Sequence, residues 1–326
     1  MNIPFLDAWQ LFLLALVLLL ILNFIVRMGY DRLIMSADIE GFEGTNSHNK
    51  NNNGSWLTDE LIYDDFYASV CNKIFQHDNL VQAESAVLLQ EWTKHKKAGE
   101  LRVLDVCSGT GVATTAFAKG GVAKAVGMDK SPSMIRYAKN ILVPATTLTE
   151  KQKEAIEWRE ADVYGPISAA TGEFTNACVL FFGIYAIKDL SAFFKNLASW
   201  IQPGGSLAVE VVNKHKFEPV PDVANPWIAV SPQAHTKKRI TKSSATFDTF
   251  EYSTDFDLDS DTQVAEFKEI FAFKDGTKRR QKHLLYMPDI SVIVQKAVEM
   301  GFLYNKFVDL QFTGFNYGYM LFFTRT

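Results

Sequence analysis

The stretch of sequence that decides the fold is LRVLDVCSGTGVATTAF, residues 101–117. It starts with a short apolar run typical of a buried β-strand and ends with a segment of helix composition. Between the two lie Gly109 and Gly111, which let backbone N–H groups come close to a ligand because glycine has no side chain in the way. Asp105 stands near the end of the strand. A strand, a glycine-containing turn and a helix in this order predict a ligand site at the carboxyl edge of a sheet.

The remainder of this part of the chain alternates between strand and helix patterns. Further strands are predicted at 123–129, 156–159, 174–182, 206–212, 303–311 and 317–324, and helices after Ser131, at 189–201 and from Pro288 to Gly301. Such alternation is typical of a mostly parallel sheet with helices on both faces.

An insertion at 213–286 separates the fifth strand from the last long helix. It opens with a Pro-rich loop and continues with a half-buried strand at 250–258. Two strands then flank Asp275-Gly276, a dipeptide that favours a two-residue hairpin turn and would place Glu269 opposite Lys282. Because the insertion follows a strand end, where open α/β sheets bind ligands, we expect a small antiparallel lid over the site.

The N-terminus contains an uncharged, apolar run, AWQLFLLALVLLLILNFIV at 8–26. As a helix it would be roughly 28 Å long, about one hydrocarbon core. A buried core helix and a cleaved signal peptide are the alternatives, and the absence of Lys or Arg before the run disfavours the signal peptide. Arg27 and Arg32 follow the run, which predicts a single-pass membrane anchor with the catalytic body on the cytoplasmic side.

The domain organisation follows from these segments. Residues 1–35 form the N-terminal tail and anchor, 36–55 a flexible polar linker, and 56–326 the folded domain with its lid. Apolar residues make up 48% and charged residues 21% of the 326 residues, which excludes collagen-like, coiled-coil and wholly disordered chains. A net charge of −4 gives no global reason to expect nucleic-acid binding. The three widely spaced cysteines predict a reducing compartment and no metal site.

Two further acids follow predicted strands. Asp129 ends the second strand, where a carboxylate can accept both hydroxyls of a ribose, and Asp162-Val163 follows the third strand, where it could receive an adenine. A dinucleotide and S-adenosylmethionine both fit this outline. The turn lacks a third Gly or Ala in strict G-x-G-x-x-G register, and Asp105 would repel a pyrophosphate but suits the amino group of methionine. Both details favour S-adenosylmethionine.

At these motifs the sequence resembles the class I S-adenosylmethionine-dependent methyltransferases, over about 60–326 apart from the middle of the insertion. LDVCSGTG resembles the first motif of that family, VGMDKSPSMI the second and EADV the adenine-binding third, and IYDDFYASV is similar to the helix that closes over the cofactor. The resemblance implies cofactor contacts from Tyr63, Tyr67, Asp105, Ser108, Gly109, Thr110, Gly111, Asp129, Lys130, Met134, Asp162 and Val163, to which we add Phe182 at the end of the fourth strand.

The resemblance also completes the fold class. It implies an α/β protein with a Rossmann-like, seven-stranded, mostly parallel sheet whose last strand is antiparallel, in addition to the β lid and the N-terminal transmembrane helix. Three positions depart from the family pattern: Cys107 replaces a usual Gly, Asn176 a frequent Asp, and Ala186 stands where many relatives carry His. No acid or base can therefore be carried over from the motif after the fourth strand.

The implied reaction is in-line displacement of a methyl group from a sulfonium, with S-adenosylhomocysteine as product. The protein mainly has to hold the nucleophile in line, and a base helps if the nucleophile arrives protonated. Tyr185 and His215, beyond the fourth and fifth strands, are the predicted catalytic residues. Tyr252 and His283, on lid strands, are the predicted substrate-binding residues. A packing role or a solvated surface position is the alternative for each.

A membrane anchor favours a small, lipophilic or membrane-associated acceptor, such as a lipid. The alternatives are a protein methyltransferase with membrane partners, a non-catalytic cofactor-binding scaffold and, as another enzyme class, a nicotinamide oxidoreductase. Two basic clusters in the insertion, at 237–242 and 278–282, are either solvated strand ends or a surface for anionic headgroups or a substrate phosphate. The sequence carries no signal for the oligomeric state.

Overall fold

The computed structural model describes Val17 and residues 55–75, 77–94, 96–165, 169–217, 240–313 and 315–326. Except for Val17, these residues belong to one unit, Lys50–Thr326. Apart from Val17, the predicted transmembrane helix lies outside the described residues. Nearly all of the predicted linker and the Pro-rich start of the insertion lie outside them too. Within the described ranges no helix has the length and hydropathy needed to cross a bilayer.

The secondary structure alternates as the sequence predicts. In chain order the strands are β1 (Leu57–Thr58), β2 (Arg102–Val106), β3 (Lys124–Asp129), β4 (Ile156–Glu160), β5 (Phe174–Val179), β6 (Ile201–Val212), β7 (Lys242–Thr246), β8 (Phe250–Asp259), β9 (Val264–Phe273), β10 (Lys278–Tyr286), β11 (Phe302–Asp309) and β12 (Gly318–Arg325). The α-helices are α1 (Asp65–Phe75), α2 (His77–Trp92), α3 (Val112–Lys119), α4 (Pro132–Tyr137), α5 (Val143–Ala145), α6 (Glu150–Glu154), α7 (Leu190–Trp200) and α8 (Ile290–Glu299).

Seven strands form the main sheet, in the order β4-β3-β2-β5-β6-β12-β11. The neighbours from β4 to β6 are parallel, and β12 is antiparallel to both β6 and β11. This arrangement agrees with the predicted mostly parallel sheet and its antiparallel last strand. Strand β6 starts directly after α7, so Pro203 and Gly204 lie inside the strand rather than before it, at an irregular part of its pairing with β5.

Alternating side chains of the central strands build a core on each face of the main sheet. Leu104 and Val106 of β2 join one apolar cluster with helices α7 and α8, whereas Val103 of the same strand joins another cluster with α2 and α3. This alternation follows from the two-residue period of a strand. Helix α7 begins where the Asp189 side chain accepts a hydrogen bond from the Ala192 N–H at 3.0 Å.

A second sheet is the predicted lid, with the order β1-β10-β9-β8-β7. Strands β7 to β10 are antiparallel, and the short β1 pairs parallel with β10. Its buried face packs partly on α1, where the ring of Phe66 lies 5.1 Å from that of Phe271 and 6.1 Å from that of Phe250. Phe256 and Phe267, from the same face, join the core of the main sheet. The lid thus covers both α1 and one side of the main sheet.

The register of the β9–β10 hairpin differs from the prediction by one residue. Glu269 lies opposite Gln281, and Lys282 lies opposite Lys268, so the predicted pairing of Glu269 with Lys282 is wrong. The Phe273 N–H donates to the Thr277 carbonyl, which leaves a three-residue loop with a left-handed glycine in place of a two-residue turn. Because of this shift, Gln281 rather than Lys282 shares the face of Glu269.

Candidate functional site

Asp129 holds the end of β3 and the loop after β2 together. Its Oδ2 accepts a hydrogen bond from the Gly109 N–H at 2.8 Å, and its Oδ1 accepts one from the Ser131 N–H at 2.9 Å. Burial raises the pKa of this carboxyl, and the two backbone donors act in the opposite direction. The structure thus brings the acid predicted for the ribose directly onto the glycine turn.

The two glycines of the turn differ in what surrounds them. Gly109 has a φ of 52°, and a Cβ there would meet no atom within 4 Å. Gly111 has a φ of 87°, and a Cβ there would lie 2.1 Å from Cη2 of Trp158. The expected close approach of a ligand therefore fits Gly109, which faces open space. At Gly111 the observed neighbour is the indole of Trp158, which the sequence pattern does not reveal.

Asp105 lies beneath the glycine turn and is buried. Its Oδ2 accepts a hydrogen bond from the Thr114 hydroxyl at 2.6 Å, and its Oδ1 faces the Cys178 thiol at 3.8 Å. Burial raises the pKa of Asp105 to about 7, against the lowering effect of the Thr114 hydrogen bonds. Both oxygens already have partners inside the protein, so the contact with an amino group stays a prediction.

The three predicted acids all affect the pKa of one thiol, that of Cys107. Burial raises the pKa of its thiol, and the negative charges of Asp129, Asp105 and Asp162 raise it further. Asp162 is exposed, and the following Val163 is buried. Of the three acids, Asp129 contacts the glycine turn directly, and the adenine contact of Asp162 and Val163 stays a prediction.

Two hydroxyl side chains of the turn differ in their contacts. The Oγ of Ser108 is buried and has no hydrogen-bond partner among the described residues. The hydroxyl of Thr110 donates to the Asn72 side chain on α1 at 2.8 Å. A buried polar atom without a partner is unfavourable unless a ligand or water supplies one. Together with the open space at Gly109, Ser108 fits a polar ligand such as the amino-acid part of S-adenosylmethionine.

The segment that leads into α1 lies against the loop after β3. The Ser131 hydroxyl donates to the backbone carbonyl of Tyr63 at 2.6 Å. Tyr67 and Met134 are buried in one apolar cluster, and Tyr63 packs against it. Lys130 is exposed and pairs with an acid of the 3₁₀ turn before α1. The predicted contacts from α1 and from the second motif therefore lie side by side.

The predicted catalytic residues occupy two different environments. Phe182, with a φ of 60°, packs against Phe217 and Tyr185 at ring distances of 5.5 and 6.2 Å. Tyr185 is buried, and its hydroxyl accepts a hydrogen bond from the Val212 N–H at 2.8 Å. His215 is exposed. No contact of the described residues connects Tyr185 or His215 to the glycine turn, so their catalytic roles stay predictions.

The lid brings Tyr252 and His283 together at one buried carboxylate, Glu269. The Tyr252 hydroxyl donates to its Oε1 at 2.5 Å, and Gln281 Nε2 and His283 Nε2 each lie 2.6 Å from its Oε2. Burial alone would raise the pKa of Glu269, but these donors outweigh burial and lower it. Glu269 shares the buried face of β9 with Phe267 and Phe271. The two-residue turn pairs it with Lys282, so the sequence analysis does not bring it together with Gln281 and His283.

The basic cluster at 278–282 is divided between the two faces of the lid. Arg279 is only 2% exposed, and its guanidinium donates to Asp64 Oδ2 at 2.7 Å and to the Ile62 carbonyl at 2.9 Å. Lys282 pairs with an acid of β9 on the outer face. The expectation of one basic surface is therefore wrong for Arg279, which ties the lid to the start of α1. The other predicted cluster lies mostly outside the described residues.

Two of three comparisons relate this chain to known proteins. Residues 75–244, about half of the chain, match the family model described as a methyltransferase domain. Among solved structures, the methyltransferase CcbJ from Streptomyces caelestis aligns with a TM-score of 0.58 at 14% identity, over 82% of this chain and 99% of that one. Comparison with curated proteins finds no matching relative.

Two further solved structures share the fold. The amino pentose methyltransferase CalS10 from Micromonospora echinaspora aligns with a TM-score of 0.51 at 17% identity, over 76% of this chain and 92% of that one. The sugar N-methyltransferase KedS8 from a Streptoalloteichus species aligns with a TM-score of 0.50 at 16% identity, over 75% of this chain and 87% of that one. At these identities the likeness concerns the fold.

Proposed function

Because this chain belongs to the family of S-adenosylmethionine-dependent methyltransferases, we propose that it methylates a small, membrane-associated acceptor held beneath the lid. The observation that carries this proposal is the contact of Asp129 with the Gly109 N–H, on a turn that is open at Gly109 and lies beside Tyr63. An acid, an open glycine turn and a buried hydroxyl without a partner among the described residues fit the ribose and the amino-acid part of S-adenosylmethionine.

When bound, S-adenosylmethionine supplies a methyl group already activated on a sulfonium. In this proposal Asp129 accepts hydrogen bonds from the ribose hydroxyls, and Ser108 binds the amino-acid part. Asp162 and Val163 receive the adenine. The remaining task of the protein is to orient the acceptor and to exclude water, and orientation alone can contribute several kcal/mol to the rate.

The lid supports a small acceptor rather than a protein. Its inner face is buried against α1 and the main sheet, with Tyr252 and His283 on that face. An acceptor reaching these side chains must fit beneath the sheet. The fold shared with an amino pentose methyltransferase and a sugar N-methyltransferase also supports a small acceptor.

The membrane part of the proposal rests on the sequence of the N-terminus. A 19-residue uncharged run followed by Arg27 and Arg32 is long enough to span a bilayer and has the charge bias of a cytoplasmic flank. An anchor confines the enzyme to the plane of the membrane, which favours an acceptor that is itself lipophilic.

The acceptor proposal is tested by incubating the full-length protein in native membranes with methyl-labelled S-adenosylmethionine. We expect the label in small molecules that partition into organic solvent. Label in protein would favour the protein methyltransferase, and label in water-soluble small molecules would contradict a lipophilic acceptor. Binding of the donor without any transfer would indicate the non-catalytic scaffold.

The anchor is tested by a double substitution, Leu18→Arg with Leu19→Arg, compared with Leu18→Ile and Leu19→Ile. Each central Arg costs about 3 kcal/mol in membrane insertion, so we expect the Arg variant to leave the membrane fraction and the Ile variant to stay. An Arg variant that remains in washed membranes would contradict the anchor.

A further inference from the structure

Glu269 is a buried carboxylate with hydrogen-bond donors on both oxygens. The Tyr252 hydroxyl contacts one oxygen, and Gln281 Nε2 and His283 Nε2 contact the other. A carboxylate can only accept, so the proton of each contact lies on the partner. Glu269 therefore holds the imidazole of His283 with Nε2 protonated and leaves Nδ1 as an acceptor.

Nδ1 of His283 faces the hydroxyl of Tyr63 at 3.2 Å. Because Nδ1 is the free acceptor, the Tyr63 hydroxyl donates to it. The rings of Tyr63, Tyr67 and Phe267 lie 5.7, 5.7 and 5.8 Å from the imidazole ring. The imidazole therefore lies between one carboxylate and three aromatic rings.

Tyr63 is the end of this network that lies nearest the glycine turn. Burial raises the pKa of its hydroxyl, and the negative charges of Asp129 and then Glu269 raise it further. The hydroxyl is thus within the field of both carboxylates. Its backbone carbonyl accepts the hydrogen bond from Ser131, which follows Asp129 by two residues. The network therefore runs from the cofactor side of the site into the lid.

A second chain of contacts fixes the network in place. Arg279 Nε donates to Gln281 Oε1 at 2.8 Å, and the same guanidinium pairs with Asp64, next to Tyr63. The inner face of the lid is otherwise rich in Phe. Apolar side chains of similar volume are often as stabilising as a buried ionic network. Stability alone therefore gives no reason to bury Glu269, His283 and Arg279 together.

We propose that Tyr63, His283 and Glu269 form a proton relay that deprotonates the acceptor, so that the acceptor class is a hydroxyl or amine compound. This inference rests on the proposed methyltransferase function. The proton of the acceptor passes to the Tyr63 oxygen while the Tyr63 proton passes to His283 Nδ1. The acceptor atom bonds to the methyl carbon, the carbon–sulfur bond breaks, and its electron pair stays on a neutral thioether. Tyr63 is the catalytic residue, and Glu269 is a positioning residue.

The relay is tested with the full-length protein in lipid vesicles, labelled S-adenosylmethionine and a series of phenols of graded acidity. We expect Tyr63→Phe and His283→Asn to lower the transfer rate to phenol by about 100-fold or more, the range of general base catalysis. The rate with pentafluorophenol, which is already ionised at neutral pH, should hardly change. Lys282→Gln, next to His283 but on the outer face, is the matched control.

The positioning role of Glu269 has its own readouts. Nitrogen NMR should show His283 protonated at Nε2. Glu269→Gln should remove the preference for protonation at Nε2 over Nδ1. The thermal stability of this variant is measured in parallel. His283 protonated at Nδ1 in the wild type would contradict the relay.

Two results would overturn the inference while leaving the proposed function in place. One is an equal loss of rate for all phenols in His283→Asn. The other is transfer only to thiols, with no hydroxyl or amine acceptor methylated. Calorimetry with S-adenosylhomocysteine separates these cases from failure of the function itself. Binding that is equal in wild type and His283→Asn locates the defect in the relay, whereas no binding to the wild type would reject the methyltransferase and the relay together.

Discussion

The Asp129 carboxylate accepts the Gly109 N–H at 2.8 Å, and this contact joins the end of β3 to the loop after β2. The other oxygen of the same carboxylate holds the Ser131 N–H, where α4 begins. One side chain therefore fixes the two loops that carry the first and second motifs. A ligand hydroxyl at this carboxylate would enter a site whose backbone donors are already oriented.

The two glycines of the turn should respond differently to substitution. Gly109→Ala places a Cβ in open space and mainly costs the strain of a left-handed residue, about 1–2 kcal/mol. Gly111→Ala adds a collision with Trp158 and should cost roughly 1–3 kcal/mol more. Urea unfolding of both variants measures the difference. Equal losses of stability would contradict the packing of Trp158 on Gly111.

Asp105 should make stability depend on pH. Burial raises its pKa to about 7 in the folded protein, against about 3.9 for an ordinary Asp. Between these values the folded state binds the proton more strongly than the unfolded state, so the free energy of unfolding falls as the pH rises from 4 to 7. In Asp105→Asn the free energy of unfolding should fall less steeply with pH, by about 1.4 kcal/mol per pH unit.

The matched control for this pH dependence is Asp248→Asn, which replaces an exposed aspartate. Urea unfolding at several pH values measures the slope for each protein. We expect the control to keep the wild-type slope. A slope that is unchanged in Asp105→Asn would show that this carboxyl is ionised in the folded protein at pH 5 to 6.

Arg279 should contribute much more to stability than its neighbour Arg280. Arg279→Met removes the guanidinium that contacts Asp64 and Gln281. Because removal of one member of a buried pair leaves an uncompensated group, the free energy of unfolding should fall by about 3 kcal/mol. Arg280→Met, on the other face of β10, is the control and should cost less than about 1 kcal/mol. Similar losses in the two variants would contradict the observed register of the hairpin.

Much of the main sheet follows from local patterns in the sequence. The run from Leu101 to Phe117 places a strand, a turn and a helix in order, and Asp129 ends the next strand at the same edge. Because parallel strands share one carboxyl edge, their terminal acids meet without further information. The contact of Asp129 at the end of β3 with the glycine turn after β2 is therefore a predictable consequence of the alternation.

The lid network and the Trp158 contact are harder to predict. The loop around Gly276 contains three residues rather than two, and this single residue places Gln281 instead of Lys282 opposite Glu269. Dipeptide composition alone does not distinguish the two loop lengths. Trp158 contacts Gly111 across the sheet edge, a long-range relationship with no local pattern in the sequence.

The most direct test of the central claim is a calorimetric titration of the full-length wild type and of Asp129→Asn with S-adenosylmethionine. We predict saturable binding to the wild type and at least about 10-fold weaker binding to Asp129→Asn, because hydrogen bonds to a charged group contribute about 1.5–3 kcal/mol. Asp261→Asn, an exposed acid on a lid turn, should bind like the wild type. Equal affinity in wild type and Asp129→Asn, or binding of a nicotinamide dinucleotide in place of S-adenosylmethionine, would contradict the account.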